Sequence, residues 1–504
     1  MSDLDAVIIG AGPNGLAAAC ALARAGWSVR VLEAHPSRFG GAVGSEQATL
    51  PGFVHDVGAA FFPFAHLSPA FQALDLPGVG LRWREAAVQS AHPALDGSIG
   101  AFTTNPGETA RLLGVDGARW RRVEGWFRKN QERLLSVLLS PVGALGPTAR
   151  LGPVNAARFA AVALSTGAGL ARRWFSTDAA QRILPALALH VDVGPDDRFG
   201  AALGFMLALT GATGGFVVPE GGAQSLADAL VRRLEEHGGA VQLGARVERI
   251  KVADGRARAV ITADGEEIAV RRAVLANTAA PSLYLDLLQG QSAIPGRLEK
   301  AMKRFEWGWG TFKVDWALNN AVPWVTEPST RAAVVHTGED LADLSRFTDQ
   351  VRRGELPDDP YLVIGQQSLA DPTRAPRGCH TLWAYSRVPN TMPEGWAAHA
   401  EAFCDRVEDR IEGLAPGFKQ RILARRIVTP PDLQAMDANL VGGDLGGGSN
   451  AWHNQLIFRP AFPYFRYATP VKGLYLCSSY AHPGGGVHGM CGWNAAHIAL
   501  RRDG

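Results

Sequence analysis

The sequence predicts an α/β fold in which a Rossmann-type nucleotide-binding domain is assembled from discontinuous segments and carries an inserted α+β domain. Three stretches predict it. Residues 4–34 form a strand, a glycine turn, an alanine-rich helix and a second strand, and residues 223–252 repeat the helix and strand. Residues 473–500 add another strand, glycine turn and helix. Together the three stretches are expected to build one domain.

The regions between these stretches predict the domain organisation. Two inserts, 76–214 and 291–440, are richer in tryptophan, proline and long helical runs than the stretches they separate. We therefore assign residues 1–75, 215–290 and 441–504 to the nucleotide-binding domain, and the two inserts to a substrate domain.

The middle stretch predicts a helix and two hairpins. Leu226, Leu230 and Leu234 recur at four-residue spacing on one helix face. Asp-Gly pairs at 254–255 and 264–265 then separate strand-like runs, which is typical of tight hairpin turns.

Composition and charge exclude several classes of protein. Of the 504 residues, 47% are hydrophobic and 19% charged, which predicts a folded chain with a large core. The net charge of +2 and the scattered Lys and Arg argue against nucleic acid as a partner. The five cysteines form no C-x-x-C pair, and the start of the chain is better interpreted as a strand than as a secretory signal. We expect a cytoplasmic location.

Residues 199–219 carry no charged side chain and approach the length of a bilayer span. Gly214 and Gly215 would break a helix there, so the prediction is a buried helix followed by a strand. A shallow peripheral contact with a membrane stays open as an alternative.

The first glycine turn predicts dinucleotide binding. Gly10, Gly12 and Gly15 form G-x-G-x-x-G between a strand and a helix, with Pro13 and Asn14 inside the motif. The first glycine permits the tight turn, the second lets a pyrophosphate approach the backbone, and the third allows close helix–strand packing. An acid at the end of the next strand, Glu33, is expected to bind the adenosine ribose.

A second glycine pair follows soon after the acid. Arg38, Gly40 and Gly41 belong to an R-x-G-G-x-x-x-S run that would pass close to bound phosphates. This run, the opening strand–helix–strand unit and the block AHPGGGVHGMCGWNAA resemble the FAD-dependent amine oxidase and phytoene desaturase superfamily, and in particular its phytoene desaturase-like branch. YATPVKGLYLC is also similar to carotenoid ketolases and to mitochondrial proteins named for a pyridine-nucleotide-disulphide oxidoreductase domain. Disulphide reduction itself is excluded, because Cys20 stands alone in its region.

The resemblance implies FAD as cofactor and assigns residues to it. Ser479 would lie near the ribityl chain or pyrophosphate, while Gly485, Gly486 and Val487 would offer backbone groups to the isoalloxazine. The adenine would be held near Val247. A helix N-terminus after these glycines would stabilise negative charge on the reduced flavin.

Two residues are candidates for catalysis. His482 precedes the glycines of the terminal block and could line the substrate face of the flavin, or it could only bond the backbone. Lys313 lies in a strand that resembles the amine oxidase strand whose lysine orients a water at flavin N5. The alternative is an edge-strand lysine in solvent.

Other residues leave alternatives. Tyr480 stands where the family has a small residue, so it narrows the site or belongs to a repacked turn. No metal-ligand spacing and no G-x-S-x-G nucleophile motif occurs in the sequence. Five tryptophans could line an apolar pocket or simply fill the core: Trp307, Trp309, Trp316, Trp324 and Trp452.

Three functions stay open. The first is FAD-dependent dehydrogenation or desaturation of an apolar molecule, by hydride transfer to flavin N5. The second is amine or amino-acid oxidation, and the third is flavin binding without catalysis. The chain carries one well-formed dinucleotide motif, so we expect the electrons to pass to oxygen, a quinone or another carrier instead of to a bound nicotinamide.

Overall fold

A computed structural model describes residues 4–290 and 294–504. The strands are β1 (Leu4–Ile9), β2 (Val29–Leu32), β3 (Ser45–Glu46), β4 (His55–Asp56), β5 (Trp83–Arg84), β6 (Val88–Pro93), β7 (Ile99–Phe102), β8 (Val218–Pro219), β9 (Ala240–Gln242), β10 (Val247–Ala253), β11 (Arg256–Thr262), β12 (Glu267–Ala276), β13 (Gly310–Leu318), β14 (Ala332–His336), β15 (Val363–Gly365), β16 (His380–Val388), β17 (Ile422–Val428) and β18 (Leu474–Leu476).

The α-helices are α1 (Pro13–Arg24), α2 (Pro69–Leu74), α3 (Pro106–Leu112), α4 (Gly117–Leu138), α5 (Leu145–Leu151), α6 (Pro153–Ala163), α7 (Gly167–Trp174), α8 (Asp178–Gln181), α9 (Ile183–Ala188), α10 (Gly200–Gly214), α11 (Gln224–Glu236), α12 (Gly296–Lys303), α13 (Glu327–Thr330), α14 (Leu341–Arg352), α15 (Gln367–Ala370), α16 (Ala400–Leu414), α17 (Pro430–Met436) and α18 (Met490–Asp503).

The first sheet unites the three stretches that the sequence analysis singled out. Its strand order is β10-β11-β12-β1-β2-β9, and β18 also pairs with β12. The strands β18, β12, β1, β2 and β9 run parallel. Helices α11 and α18 both pack against α1, so the three glycine-bearing regions share one core.

The two Asp-Gly pairs lie in hairpin turns, as predicted. Asp254 (φ 53°) and Gly255 (φ 68°) connect β10 to β11, and Gly265 (φ 88°) lies between β11 and β12. Glycine and aspartate are among the residues that adopt a positive φ at low cost, which favours these tight connections.

The second sheet has the order β17-β13-β16-β15-β14-β6-β7 and is antiparallel except for the pair β14 and β6. Helices α4, α7, α9 and α10 share an apolar core with one face of this sheet. The other face packs against α16. We propose on this arrangement that the two sheets define the two domains assigned above.

Residues 199–219 form the buried helix α10 followed by the short strand β8, as predicted. Phe205, Ala208 and Leu209 of α10 are almost fully buried in protein. Across 4–290 and 294–504, no helix has the length and apolarity needed to cross a bilayer.

Stability is expected to fall in mild acid, because several histidines are buried. Burial lowers the pKa of His55, His482 and His488 from 6.5 to about 4. Between these two pKa values the unfolded chain binds more protons than the folded chain, so the free energy of unfolding decreases as the pH falls below 6.5. Each histidine contributes about 1.4 kcal/mol per pH unit in that window.

Urea unfolding at pH 7.5 and pH 5.5 tests this expectation, with a predicted loss of about 4 kcal/mol from the three residues at the lower pH. His488→Gln removes one of the three histidines, so the loss between the two pH values should fall to about two thirds of that of the unmodified protein. Equal stability at both pH values would contradict the prediction.

Candidate active site

The first glycine turn lies at the carboxyl end of β1, where α1 begins. Gly10 has φ 91°, and its carbonyl oxygen would be only 2.2 Å from a Cβ placed on Gly15. A Cβ on Gly12 would be 2.8 Å from Nδ2 of Asn277. The turn therefore brings β1, α1 and the end of β12 together at distances that only glycine permits.

Glu33 follows β2, beside this turn. Its Oε2 accepts a hydrogen bond from the Ala11 N–H at 2.7 Å, and its Oε1 accepts one from the His35 N–H at 2.9 Å. A carboxylate has about four acceptor sites, so two stay free for ribose hydroxyls. The carbonyl of Glu33 also accepts from the Ala245 N–H at 2.8 Å, which brings the start of β10 at Val247 close to the acid.

The second glycine pair lies directly against the first turn. The Gly40 N–H donates to the Ala11 carbonyl at 2.9 Å, and a Cβ on Gly41 would be 3.6 Å from the Cα of Gly12. The guanidinium of Arg38 donates to the Gly41 carbonyl at 3.0 Å. The structure thus brings the R-x-G-G run and the G-x-G-x-x-G motif together on one backbone surface.

Two residues near these glycines were not predicted from the sequence. The Asp437 carboxylate is 3.0 Å from where a Cβ on Gly41 would be, and burial and the nearby Glu33 raise its pKa. Asn439 donates to the Asn277 carbonyl at 3.2 Å, above the end of β12. Neither residue belongs to a recognisable sequence motif. Both come close to the glycine turns only in the folded chain, so no local pattern in the sequence indicated them.

The terminal block lies beside a second glycine loop. Gly485 and Gly486 are exposed, and Val487 is half-buried with φ 48°. A Cβ on Gly485 would be 3.5 Å from the Gly446 carbonyl. Backbone groups of two separate segments, 445–447 and 485–487, are thereby presented at one place.

Arg459 connects the first of these segments to Ser479. Its buried guanidinium donates to the carbonyls of Gly446, Gly447 and Ser479 at 2.7, 2.8 and 2.9 Å. No sequence motif distinguishes Arg459 from the other arginines of the chain. Only the three carbonyls that converge on it identify it as a residue that positions the site.

Asp444 orders the same loop from the other side. Its carboxylate accepts hydrogen bonds from the N–H groups of Gly308, Gly446 and Gly448 at 2.7 to 3.0 Å. Burial, together with nearby Asp192, raises its pKa. The polar atoms of Asp444 and Arg459 therefore form hydrogen bonds with backbone groups.

The two histidines of the terminal block are both buried. The His482 ring lies beside the carbonyls of Leu138 and Ser140, at the end of α4. The His488 ring packs edge-on against Phe64, with the ring centres 5.7 Å apart. In the part of the chain that the structure describes, its Nε2 has no hydrogen-bond partner. The structure thus places His482 against backbone carbonyls, and its catalytic role stays a prediction.

Lys313 lies on β13, which pairs with β16 and β17, so the alternative of an edge-strand lysine in solvent is wrong. The residue is 4% exposed, and its Nζ contacts both carboxylate oxygens of Asp315 at 2.5 Å. The Nδ1 atom of His55 lies 3.6 Å from the same carboxylate. A cavity of about 10 Å³, the size of one water, borders His55 and Asp315.

The aromatic candidates divide between core and surface. Trp316 and Trp324 are buried in the core of the second sheet, whereas Trp452 is 50% exposed. Tyr480 is buried, and its hydroxyl donates to the Asn439 carbonyl at 2.6 Å. The Tyr480 ring packs against Trp307, which favours the alternative that Tyr480 belongs to a repacked turn.

Two features of the structure fit FAD. The two turns carry glycine where they face each other, so their backbone N–H groups are not covered by side chains and suit a pyrophosphate. The Oδ1 atom of Asn14, at the start of α1, is buried and has no hydrogen-bond partner among residues 4–290 and 294–504. A buried polar atom of this kind is expected to find a partner in the complete protein.

Arg459→Met is expected to lower both stability and FAD retention. The change leaves three carbonyls without their donor, at a cost of about 1–3 kcal/mol each if they stay buried. Visible absorbance after gel filtration reports bound flavin, and urea unfolding reports stability. Arg466→Met, at an exposed arginine nearby in sequence, is the control. Full flavin content in Arg459→Met would contradict the role assigned to this residue.

The sequence of this chain is similar to known flavin-dependent and nucleotide-binding proteins. Models of an NAD(P)-binding Rossmann-like domain and of flavin containing amine oxidoreductase match residues 8–74 and 156–308. Pyridine nucleotide-disulfide oxidoreductase domain-containing protein 2 of Mus musculus is 30% identical over 99% of this chain and 94% of its own length. The neurosporene-forming phytoene desaturase of Cereibacter sphaeroides is 25% identical over 97% of this chain and 93% of its own.

A solved structure shows the same fold. The crystal structure of an oxidoreductase from Methanosarcina mazei superposes with a TM-score of 0.64 at 18% identity, covering 98% of this chain and 99% of that one. The glycine turns, the acid after β2 and the full-length sequence similarity all indicate the same family. The chain is an FAD-dependent oxidoreductase, and it belongs to the phytoene desaturase-like branch of the FAD-dependent amine oxidase and phytoene desaturase superfamily.

Proposed function

We propose that this protein uses FAD to dehydrogenate or desaturate a largely apolar small molecule, of isoprenoid, carotenoid or lipid-like character. The observation that carries the proposal is the similarity to a phytoene desaturase along nearly the whole of both chains. The site supports it, because the charged side chains next to the glycine block, Arg459 and Asp444, are bonded to backbone groups. Phe64 and Val487 add apolar surface beside Gly486.

The residues proposed to hold FAD follow strands β1 and β2, begin strand β10, or lie in the terminal block. They are Gly10, Gly12, Pro13, Asn14, Gly15, Glu33, Arg38, Gly40, Gly41, Val247, Ser479, Gly485, Gly486 and Val487. Backbone N–H groups of the two glycine turns stabilise the pyrophosphate, and Glu33 accepts hydrogen bonds from the ribose.

Bound FAD supplies a flavin N5 that accepts a hydride from an activated C–H bond. The protein's part is to hold the substrate in line and to exclude water. Asp444 and Arg459 keep the glycine loop at 446–448 in place, and Arg459 also bonds the Ser479 carbonyl. Lys313, buried beside Asp315, is the proposed residue for holding a water near the flavin, and His482 is the second candidate on the substrate side.

The proposed partners are an apolar substrate and an electron acceptor such as oxygen or a quinone. A peripheral membrane contact fits one exposed apolar segment. Within 452–462, Trp452, Leu456, Phe458 and Phe462 are each about half exposed. Side chains of this kind in one short stretch suit insertion into a lipid surface, from which an apolar substrate could be collected.

Anaerobic spectroscopy of the purified, flavin-loaded protein tests the proposal. We expect a polyene dispersed in detergent to bleach the flavin band near roughly 450 nm, while primary amines leave it oxidised. Detergent without polyene is the control. Bleaching by amines, with hydrogen peroxide formed in air, would instead favour an amine oxidase. An FAD that neither class reduces would contradict the proposed reaction.

A further inference from the structure

An open groove lies on the helical layer, among residues of α4, α6, α7 and α10 that hold none of the candidate cofactor or catalytic groups. Its volume is about 420 Å³, and α4, α6 and α7 form its walls. Ligand pockets typically measure about 300–1,000 Å³, so the groove is large enough for a small molecule.

The floor of the groove is apolar and closely packed. Phe205 of α10 lies at its base and is only 1% exposed. The rings of Trp126, Trp174 and Phe159 surround Phe205 with ring centres 6.1 to 6.3 Å away. Mutually packed rings make a preformed apolar surface, which a hydrocarbon chain can cover without reorganising it.

The rim of the groove is basic. Arg119 and Arg122 of α4, Arg158 of α6 and Arg173 of α7 line it, and all four are exposed. The lining contains no Asp or Glu. Within the described part of the chain, the arginines that form ion pairs with carboxylates do not include these four.

We infer that this groove binds a single-chain anionic amphiphile, a fatty acid carboxylate, with the chain along the aromatic floor and the head group among the arginines. Arginine matches a carboxylate in a bidentate geometry, and four guanidinium groups that pair with no carboxylate of the described residues favour an anion. The groove lies between three helices, so a single chain can lie along it, whereas the flat surface of a bilayer meets only its rim.

Calorimetric titration of the flavin-loaded, full-length protein with laurate below its micellar concentration tests the inference. We expect one binding site for laurate and much weaker binding of the uncharged 12-carbon alcohol. The double variant R122Q/R158Q should weaken laurate binding about tenfold or more, because two charge-assisted contacts are lost. Ala161→Trp, which fills the groove and keeps its charges, should abolish it.

The matched control is R121Q/R172Q, which removes two exposed arginines from α4 and α7 that do not line the groove. It should bind laurate as the unmodified protein does. Flavin absorbance and thermal unfolding verify that each variant is folded. No binding of laurate, equal binding of the alcohol, or binding only to vesicles of anionic phospholipid would each overturn the inference.

Discussion

Gly15→Ala is expected to yield a protein that retains little or no FAD and unfolds more easily. The new Cβ would lie 2.2 Å from the Gly10 carbonyl oxygen, well inside the contact distance of the two atoms. Since that oxygen belongs to the backbone, the turn and the start of α1 must move apart. Overpacking in a core costs about 1–3 kcal/mol, and here it also displaces the N–H groups proposed to bind the pyrophosphate.

The ratio of flavin to protein absorbance and a urea unfolding curve measure the two effects. Gly125→Ala is the matched control, because Gly125 lies exposed on α4 and a Cβ there meets nothing within 4 Å. It should keep its flavin and gain up to about 1 kcal/mol, since alanine favours a helix more than glycine does. A Gly15→Ala protein with a full complement of FAD would refute the proposed geometry of the turn.

Lys313→Met is expected to cost about 3–5 kcal/mol of unfolding free energy, because it leaves the buried Asp315 carboxylate without its partner. Asp315 is 2% exposed, so bulk solvent does not reach it in place of the lost ammonium. Lys251→Met is the control. Lys251 pairs with Glu267 at the surface, where an ion pair contributes about 0–1 kcal/mol.

The double variant K313M/D315L separates stability from chemistry. Replacing both charges by apolar side chains should restore most of the lost stability, since no buried charge is left unpaired. Flavin reduction by the substrate is then the deciding measurement. A stable double variant whose flavin is reduced slowly supports a role for Lys313 at the flavin, whereas full activity would show that the pair is only structural.

Local patterns were sufficient for much of the fold. The glycine turn at Gly10 to Gly15, the Asp-Gly hairpins and the buried helix in 199–219 each depend on residues close in sequence. Turn geometry, side-chain periodicity and helix-breaking glycines act over a few residues, so they are legible without knowledge of the fold. The cofactor followed from the combination of these patterns with the family resemblance.

By itself, then, the amino-acid sequence determined the nucleotide-binding unit. Together with the family resemblance it predicted FAD, and it left three functions open. The tertiary structure alone decided which side chains complete the site. Arg459 matters because the carbonyls of Gly446, Gly447 and Ser479 converge on it, and Lys313 because Asp315 and two flanking strands bury it. Asp437 contacts Gly41 although the two residues lie in opposite halves of the sequence. Such contacts depend on how segments far apart in sequence pack together, and no local propensity encodes that.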